Sequence, residues 1–284
     1  MDLNIQRDLI LSGGNDGKGI LFSKEQEKVL YNVDYHSKRI NDAIFYPSND
    51  ILAFVLCSAD NTASFWLSTN DEDELKFEDR YIIKTHKMSV TSASFHPLKE
   101  YCLTASKDST WSFHNMVKGI SLLTQPTVSG KSIEKVRFHP DGLIFGTGEA
   151  DGTVRIWDVS SQQNVAGFEC HKSEVTGISF SENGYYLATC SKNENIVKIW
   201  DLRKPKNIKT LEFAEKDVIN NVEFDLSGSY LGVVGMNSYV CNVKDWTLNT
   251  MNLEHSDLIT GIKFGNNCKY FATVSLDRSL KISA

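Results

Sequence analysis

The chain has 284 residues, of which 41% are hydrophobic, 11% aromatic and 23% charged, enough apolar material for packed cores and incompatible with a disordered or fibrous chain. Thirty basic against 36 acidic side chains leave a formal charge of −6, so the chain as a whole lacks the cationic surface that phosphate-backbone binding needs. Its longest apolar runs, such as Ile51 to Cys57, are far short of the ~20 residues of a membrane-spanning helix, and no leader pattern opens it; an intracellular chain with no membrane partner is expected. Six cysteines (57, 102, 170, 190, 241, 268) form no CxxC pair and no local His/Cys cluster, which points to buried reduced thiols and to neither a zinc site nor a disulfide framework.

Self-similarity organises the chain. Phenylalanines closing alternating apolar segments stand at 45, 95, 138, 180, 224 and 264, spaced 40 to 50 residues apart. Thirteen to fifteen residues after each lies an acidic or amide turn residue: Asp60, Asp108, Asp151, Glu194, Asn237 and Asp277, with Asp16 as an earlier copy. Six residues further on stand Phe22, Trp66, His114, Trp157, Trp200, Val243 and Ser283, which makes seven units, approximately 1–35, 36–85, 86–128, 129–170, 171–214, 215–254 and 255–284.

The first unit begins with a short strand, MDLNI. In the second, the acidic stretch Asp71 to Asp79 widens the spacing and reads as a solvated loop. The third shows four short β-rich runs, SVTSASF from Ser89, YCLTAS from Tyr101, STWSFH from Ser109 and GISLLT from Gly119. Asp16-Gly17, Asp141-Gly142 and Asp151-Gly152 are hairpin dipeptides, and Pro47, Pro97 and Pro140 each fall two residues after a repeat Phe. The last unit stops after its third strand; its outer strand is expected to come from residues upstream of Met1 or to be absent. The fold class is therefore all-β, a single seven-bladed β-propeller over 1–284 with four-stranded antiparallel blades and an incomplete last blade.

With strands a to d counted from the inside, the b–c turn and the loop preceding strand a emerge at one end. There Asp108 should approach His86, with Thr104 on the strand between, in a network that satisfies buried polar groups. His36 with Asp60 and Trp66, His171 with Thr189 and Trp200, His255 with Thr273 and Asp277, and Thr147 with Asp151 and Trp157 read as versions keeping at most three of the four members.

This pattern resembles the WD-repeat family, with Trp157-Asp158 and Trp200-Asp201 as the characteristic dipeptides. FHPDGLIFGTG (Phe138 to Gly148), FSENGYYLATC (Phe180 to Cys190) and VKIWDLRKPKNIKTL (Val197 to Leu211) are similar to the C-terminal propeller of the pre-mRNA-processing factor nineteen family. The likeness weakens in the sixth unit, where Trp246 lies three positions beyond the usual Trp column. It implies a nuclear scaffold of the spliceosome-associated nineteen complex, whose full-length members carry a ubiquitin-ligase U-box and a tetramerising coiled coil and are linked to DNA repair. Only the propeller is recognisable here, so this piece is expected to dock spliceosomal or nineteen-complex proteins, or ubiquitination substrates, and not to transfer ubiquitin alone.

Sharper readings fail on spacing. Repeated Ser/Thr, His and Asp suggest a hydrolase triad, but seven diluted copies suit an internal structural network better. SGGNDGKG from Ser12 and Gly130-Lys131-Ser132 miss the phosphate-loop pattern. His96 and His139 occupy equivalent turns of different blades and read as turn histidines, not metal ligands. Arg203-Lys204-Pro205-Lys206, with Lys209, offers charge to an acidic partner or RNA phosphate; a solvated loop is the simpler reading. An enzyme with a central site is disfavoured because inner segments SVTSAS, EVTGIS and LITGIK offer Ser, Thr, Ala and Gly where such sites converge carboxylates and histidines. No catalytic, metal or cofactor residue is assigned.

Protein docking is expected at the end where the b–c turns emerge. Its positions are Arg39, Ser89, Ser132, Glu174, Val218 and Leu258 before strand a, and Asn15, Ala59, Lys107, Ala150, Asn193, Met236 and Leu276 before the turn residue. Met236, Leu258 and Leu276 form an apolar arc, flanked elsewhere by the charges of Arg39 and Lys107. A general WD-repeat adaptor outside splicing is the alternative.

Overall fold

The computed structural model describes residues 1–283 except 49, 72–73, 252 and 266–267, and among them the regular elements are β-strands. They gather into two compact units, Met1–Val136 and Arg137–Ala284.

The first unit holds three four-stranded sheets. They comprise β1 (Asp2–Asn4), β2 (Leu9–Gly13), β3 (Lys18–Ser23) and β4 (Lys28–Asp34); β5 (Ile40–Phe45), β6 (Ala53–Ser58), β7 (Ala63–Asp71) and β8 (Glu74–Ile83); and β9 (Val90–Phe95), β10 (Tyr101–Ser106), β11 (Thr110–Asn115) and β12 (Ile120–Pro126). The unit boundary falls within β13 (Ile133–Phe138), which opens a sheet with β14 (Ile144–Glu149), β15 (Thr153–Asp158) and β16 (Asn164–Glu169).

Three further sheets complete the second unit. They are β17 (Val175–Phe180), β18 (Tyr186–Ser191), β19 (Ile196–Asp201) and β20 (Lys206–Glu212); β21 (Ile219–Phe224), β22 (Tyr230–Gly235), β23 (Ser238–Asn242) and β24 (Thr247–Met251); and a three-stranded sheet of β25 (Ile259–Phe264), β26 (Phe271–Ser275) and β27 (Leu280–Ser283). Strand order in each sheet follows the sequence, and neighbours run antiparallel. These are the seven blades of a β-propeller.

Apolar pattern explains the layering. β6, AFVLCS, is buried along its whole length because its two faces serve two clusters. The outer β12 alternates exposed and half-buried residues, as a strand with one covered face should. Each core cluster draws on successive sheets: Leu11, Leu21 and Phe54 join the first and second, Val55, Val90 and Cys102 the second and third. In the second unit Val154 and Val175 join the fourth and fifth, Val197 and Val222 the fifth and sixth, and Val234 and Ile262 the sixth and seventh.

A β-bulge recurs between strands c and d of the first five blades, at Leu21/Phe22, Phe65/Trp66, Phe113/His114, Ile156/Trp157 and Ile199/Trp200. It raises local twist at the aromatic column and re-aims that side chain. In the sixth blade β23 and β24 pair without a shift, and Leu231 faces Cys241. Cys241, not Val243, therefore occupies the column, because the b–c turn of that blade is two residues shorter than in the first four blades.

The acidic stretch is not a loop. β7 and β8 extend through it with pairs such as Asp71↔Glu74 and Ser68↔Phe77, and 72–73 lie outside the described residues. Phe77, buried within 5.0 Å of Phe54 and 4.9 Å of Tyr31 by ring centroids, anchors the outer strand despite its charged neighbours. At the Asp-Gly turns, Gly152 (φ 85°) and Gly17 (φ 84°) abut backbone: a Cβ there would sit 2.1 Å from the His171 carbonyl oxygen and 2.4 Å from that of His36.

Candidate functional site

In the third blade a chain of hydrogen bonds crosses the sheet. Tyr81 Oη lies 3.0 Å from Ser121 Oγ, Ser121 Oγ 2.9 Å from His114 Nδ1, and His114 Nε2 2.8 Å from Thr104 Oγ1. Thr104 Oγ1 is 2.7 Å from His86 Nε2, and His86 Nδ1 is 3.1 Å from Thr110 Oγ1, which donates to Asp108, and 3.3 Å from Asp108 Oδ2 itself. An ionised carboxylate only accepts, so His86 carries its proton on Nδ1 and accepts at Nε2 from Thr104. Thr104 then accepts from His114 Nε2–H, and His114 Nδ1 accepts from Ser121, which accepts from Tyr81. The polarity requires a neutral His114. Burial pushes the pKa of His114 down to about 3. Burial works to raise Asp108, but bonds from His86, Thr110 and the Lys87 amide hold it well below the carboxylate range.

The fifth blade keeps all four members. His171 Nδ1 is 2.7 Å from Glu194 Oε2, His171 Nε2 is 2.9 Å from Thr189 Oγ1, and Trp200 Nε1 donates to Thr189 at 3.2 Å. Glu194, one residue later in its turn than the aspartates, reaches the same histidine with its longer side chain, so the limit of three members per blade does not hold. In the second blade His36 Nδ1 meets Asp60 Oδ2 at 2.9 Å, but the hydroxyl comes from Ser64 on strand c, 2.8 Å from both His36 Nε2 and Trp66 Nε1. Sequence reasoning missed Ser64 because it sought the hydroxyl on strand b, where this blade has Leu56.

In the seventh blade His255 bonds Asp277 and Thr273, each at 2.9 Å, and Ser279 donates to Asp277 at 2.6 Å. The fourth blade pairs Trp157 Nε1 with Thr147 Oγ1 at 2.9 Å, while Asp151 accepts from the Thr153 amide. There a buried ion pair, Arg155 Nε to Glu149 Oε1 at 3.0 Å, lies on strands b and c. In the sixth blade Asp217 accepts from Asn237 and from the Tyr239 hydroxyl. The histidines at the centre of these networks are buried and their ring nitrogens are occupied within the blade. His96 Nδ1 accepts from the Leu98 amide of its own turn at 3.0 Å, and His139 Nε2 donates to the Gly184 carbonyl of the equivalent turn in the next blade at 2.9 Å.

At the b–c end, backbone bonds pair the two sets of rim residues within a blade. Ala59 N–H donates to Arg39 O (2.9 Å), Lys107 to Ser89 (3.0 Å), Met236 to Val218 (3.1 Å) and Leu276 to Leu258 (3.0 Å). In the fifth blade the donor to Glu174 O is Lys192, not Asn193, since the longer turn shifts the register by one; Lys192 Nζ also ion-pairs with Glu174. Arg39, Asn193, Met236 and Leu276 are exposed, and Ser89, Lys107, Glu174 and Leu258 half-buried. Met236 at 48% and Leu276 at 45% exposure, with Leu258 bonded to the latter's backbone, stand on two successive sheets of one unit. The inner strands do carry charge, LITGIK itself included: Asp42 accepts from Ser92 Oγ at 2.8 Å and lies 3.7 Å from Lys135, Glu134 is 3.5 Å from Lys107 of the b–c turn, and Lys263 pairs with Glu223. Each inner-strand carboxylate named here has a cation or hydroxyl partner.

A family profile described as "Nucleolar protein 10-like, N-terminal domain", a β-propeller, matches residues 48–274. The chain belongs to this family. Among curated relatives of this Nucleolar protein 10-like propeller, Pre-mRNA-processing factor 19 of Oryza sativa is 40% identical over 99% of the chain and 54% of the relative. The protein of that name from Caenorhabditis elegans is 40% identical over 99% of the chain and 56% of its own length, and the Homo sapiens one 39% over 96% and 52%. The chain thus spans about half the length of the curated relatives it matches.

Proposed function

We propose that this chain is the protein-docking propeller of a nuclear pre-mRNA-processing factor, acting as a scaffold without catalysis of its own. The observation that carries the reading is the exposed pair Met236 and Leu276, with Leu258 beside it, at the end where b–c turns and the loops before strand a meet. Large apolar side chains held on hydrogen-bonded turns cost little entropy to bury, which is the character of a binding anchor. Arg39, Ser89, Lys107 and Glu174 supply polar rim contacts at the equivalent positions of other blades, and Asn193 the exposed turn beside Glu194. The names of the similar proteins support a role in pre-mRNA processing; the partners proposed for it are spliceosomal or nineteen-complex proteins. Ubiquitin ligation and DNA repair would belong to a longer protein in which this propeller docks partners or substrates, and the seven units are taken to act together as one docking domain.

The test is replacement of Leu258 and Leu276 by Asp, followed by capture of partners from nuclear extract. Loss of capture with an unchanged melting temperature is expected; undiminished capture would reject this rim. An adaptor outside splicing is the second reading, favoured by the family's own description, which names a nucleolar protein. Recovery of partners without any spliceosomal protein would select it.

A further inference from the structure

At the opposite end of the second unit, three turns of the fifth and sixth blades converge. The Leu202 amide donates to Tyr185 O at 2.9 Å, tying the β19–β20 turn to the β17–β18 turn. Tyr186 and Trp246 meet edge to face, ring centroids 5.9 Å apart, bringing in the β23–β24 turn. Over the Tyr185 ring, itself 47% exposed, lies the Arg203 guanidinium at 4.4 Å from the centroid. Asp201 grips that guanidinium through two bonds, Nε to Oδ1 at 2.9 Å and Nη2 to Oδ2 at 2.7 Å. Arg203 is therefore fixed in orientation and its charge locally answered, so it offers a planar stacking surface more than a free cation.

Around this plane stand exposed lysines. Lys204 adjoins Arg203 in the β19–β20 turn, Lys206 pairs with Asp201 across β19 and β20, and Lys244 shares the β23–β24 turn with Trp246. Against them are the exposed Glu182 and Asp245, the latter engaged by the Thr247 amide and hydroxyl.

We propose that this Tyr185–Arg203 plane and its lysines form a docking site for single-stranded nucleic acid. A stacking plane framed by cations complements an unpaired base attached to phosphates, and single strands are bound by this combination. An acidic peptide would use the lysines but not the plane, and Arg203 already has its carboxylate. The net charge of −6 bears on the whole surface, not on this patch. The site lies at the end of the second unit opposite the rim of Met236 and Leu276 and stands independently of the docking role assigned to that rim.

The experiment is fluorescence anisotropy of labelled oligouridylate and oligothymidylate of equal length, each titrated with the intact chain across a salt series. Comparable binding of both is expected, since nothing in the patch reads the 2′-hydroxyl. Tyr185→Ala should weaken binding roughly tenfold or more, the loss of one stacked base, while Tyr185→Phe keeps it. Lys204→Ala with Lys206→Ala should reduce the salt slope by about 1.4 for two lost phosphate contacts; both lysines are exposed, so folding is spared if Tyr185→Ala proves unstable. No binding of either oligonucleotide at ~mM chain, far weaker than non-specific nucleic-acid binding, overturns the proposal. So does equal affinity for a duplex, full competition by polyglutamate, or indifference to all three variants.

Discussion

Replacing Thr104 by Val removes one buried hydroxyl and keeps the shape of the side chain. Two imidazole nitrogens lose their partner: His86 Nε2, 2.7 Å away, and His114 Nε2, 2.8 Å away, both on histidines that are themselves buried. An orphaned buried polar group costs about 1–3 kcal/mol. The two together, partly offset by the added methyl, give about 2–4 kcal/mol. Thr104→Ser restores the hydroxyl and loses only a methyl, about 1 kcal/mol. Urea titration followed by tryptophan fluorescence reads both, with Thr189→Val in the fifth blade as a parallel case because Thr189 likewise serves His171 and Trp200. A Thr104→Val cost below about 0.5 kcal/mol, within the range of ordinary surface substitutions, would refute the directional chain from Tyr81 to Asp108.

The same chain predicts acid sensitivity. Folded His114 stays neutral down to about pH 3 against an ordinary value of 6.5, so the unfolded chain binds the extra proton between these limits and stability falls as pH drops through that window. Between pH 6.5 and 4.5 the loss from His114 should be about 2–3 kcal/mol. Denaturation midpoints of His114→Trp, which places at this position the donor that Trp157 and Trp200 supply to their own threonines, should vary less with pH than those of the parent. Gly152→Ala should cost about 2–4 kcal/mol, since the left-handed backbone and the His171 carbonyl both oppose a Cβ, and thermal melting checks it.

Period and turn chemistry made the blades legible. A phenylalanine every 40 to 50 residues and the Asp-Gly turns carried the strand order, because each blade solves the same packing problem with the same spacing. Where two effects competed, the reading failed. Acidic composition masked β8, whose single buried Phe77 outweighs its exposed charges. The two-residue-shorter turn of the sixth blade moved its column to Cys241, and the longer turn of the fifth exchanged Asn193 for Lys192 at the rim. The polar networks were partly visible, since His, Thr and Asp recur at fixed offsets. Ser64 and the chain through His114, Ser121 and Tyr81 were not, because they depend on which strand presents a hydroxyl to a histidine and on an outer strand meeting the neighbouring blade. The stacking plane of Tyr185 and Arg203 joins residues eighteen positions apart, and the sequence showed only its charges.

Docking at the b–c end is tested most directly by crosslinking mass spectrometry on assemblies captured from nuclear extract with the intact chain. Crosslinks to partner proteins should arise from Lys192, at the b–c end of the fifth blade, and from the exposed Lys216, two residues before the Val218 that bonds Met236, and vanish when Leu258 and Leu276 are replaced by Asp. Protein crosslinks confined to Lys204, Lys206 and Lys244, surviving that replacement, would contradict the account.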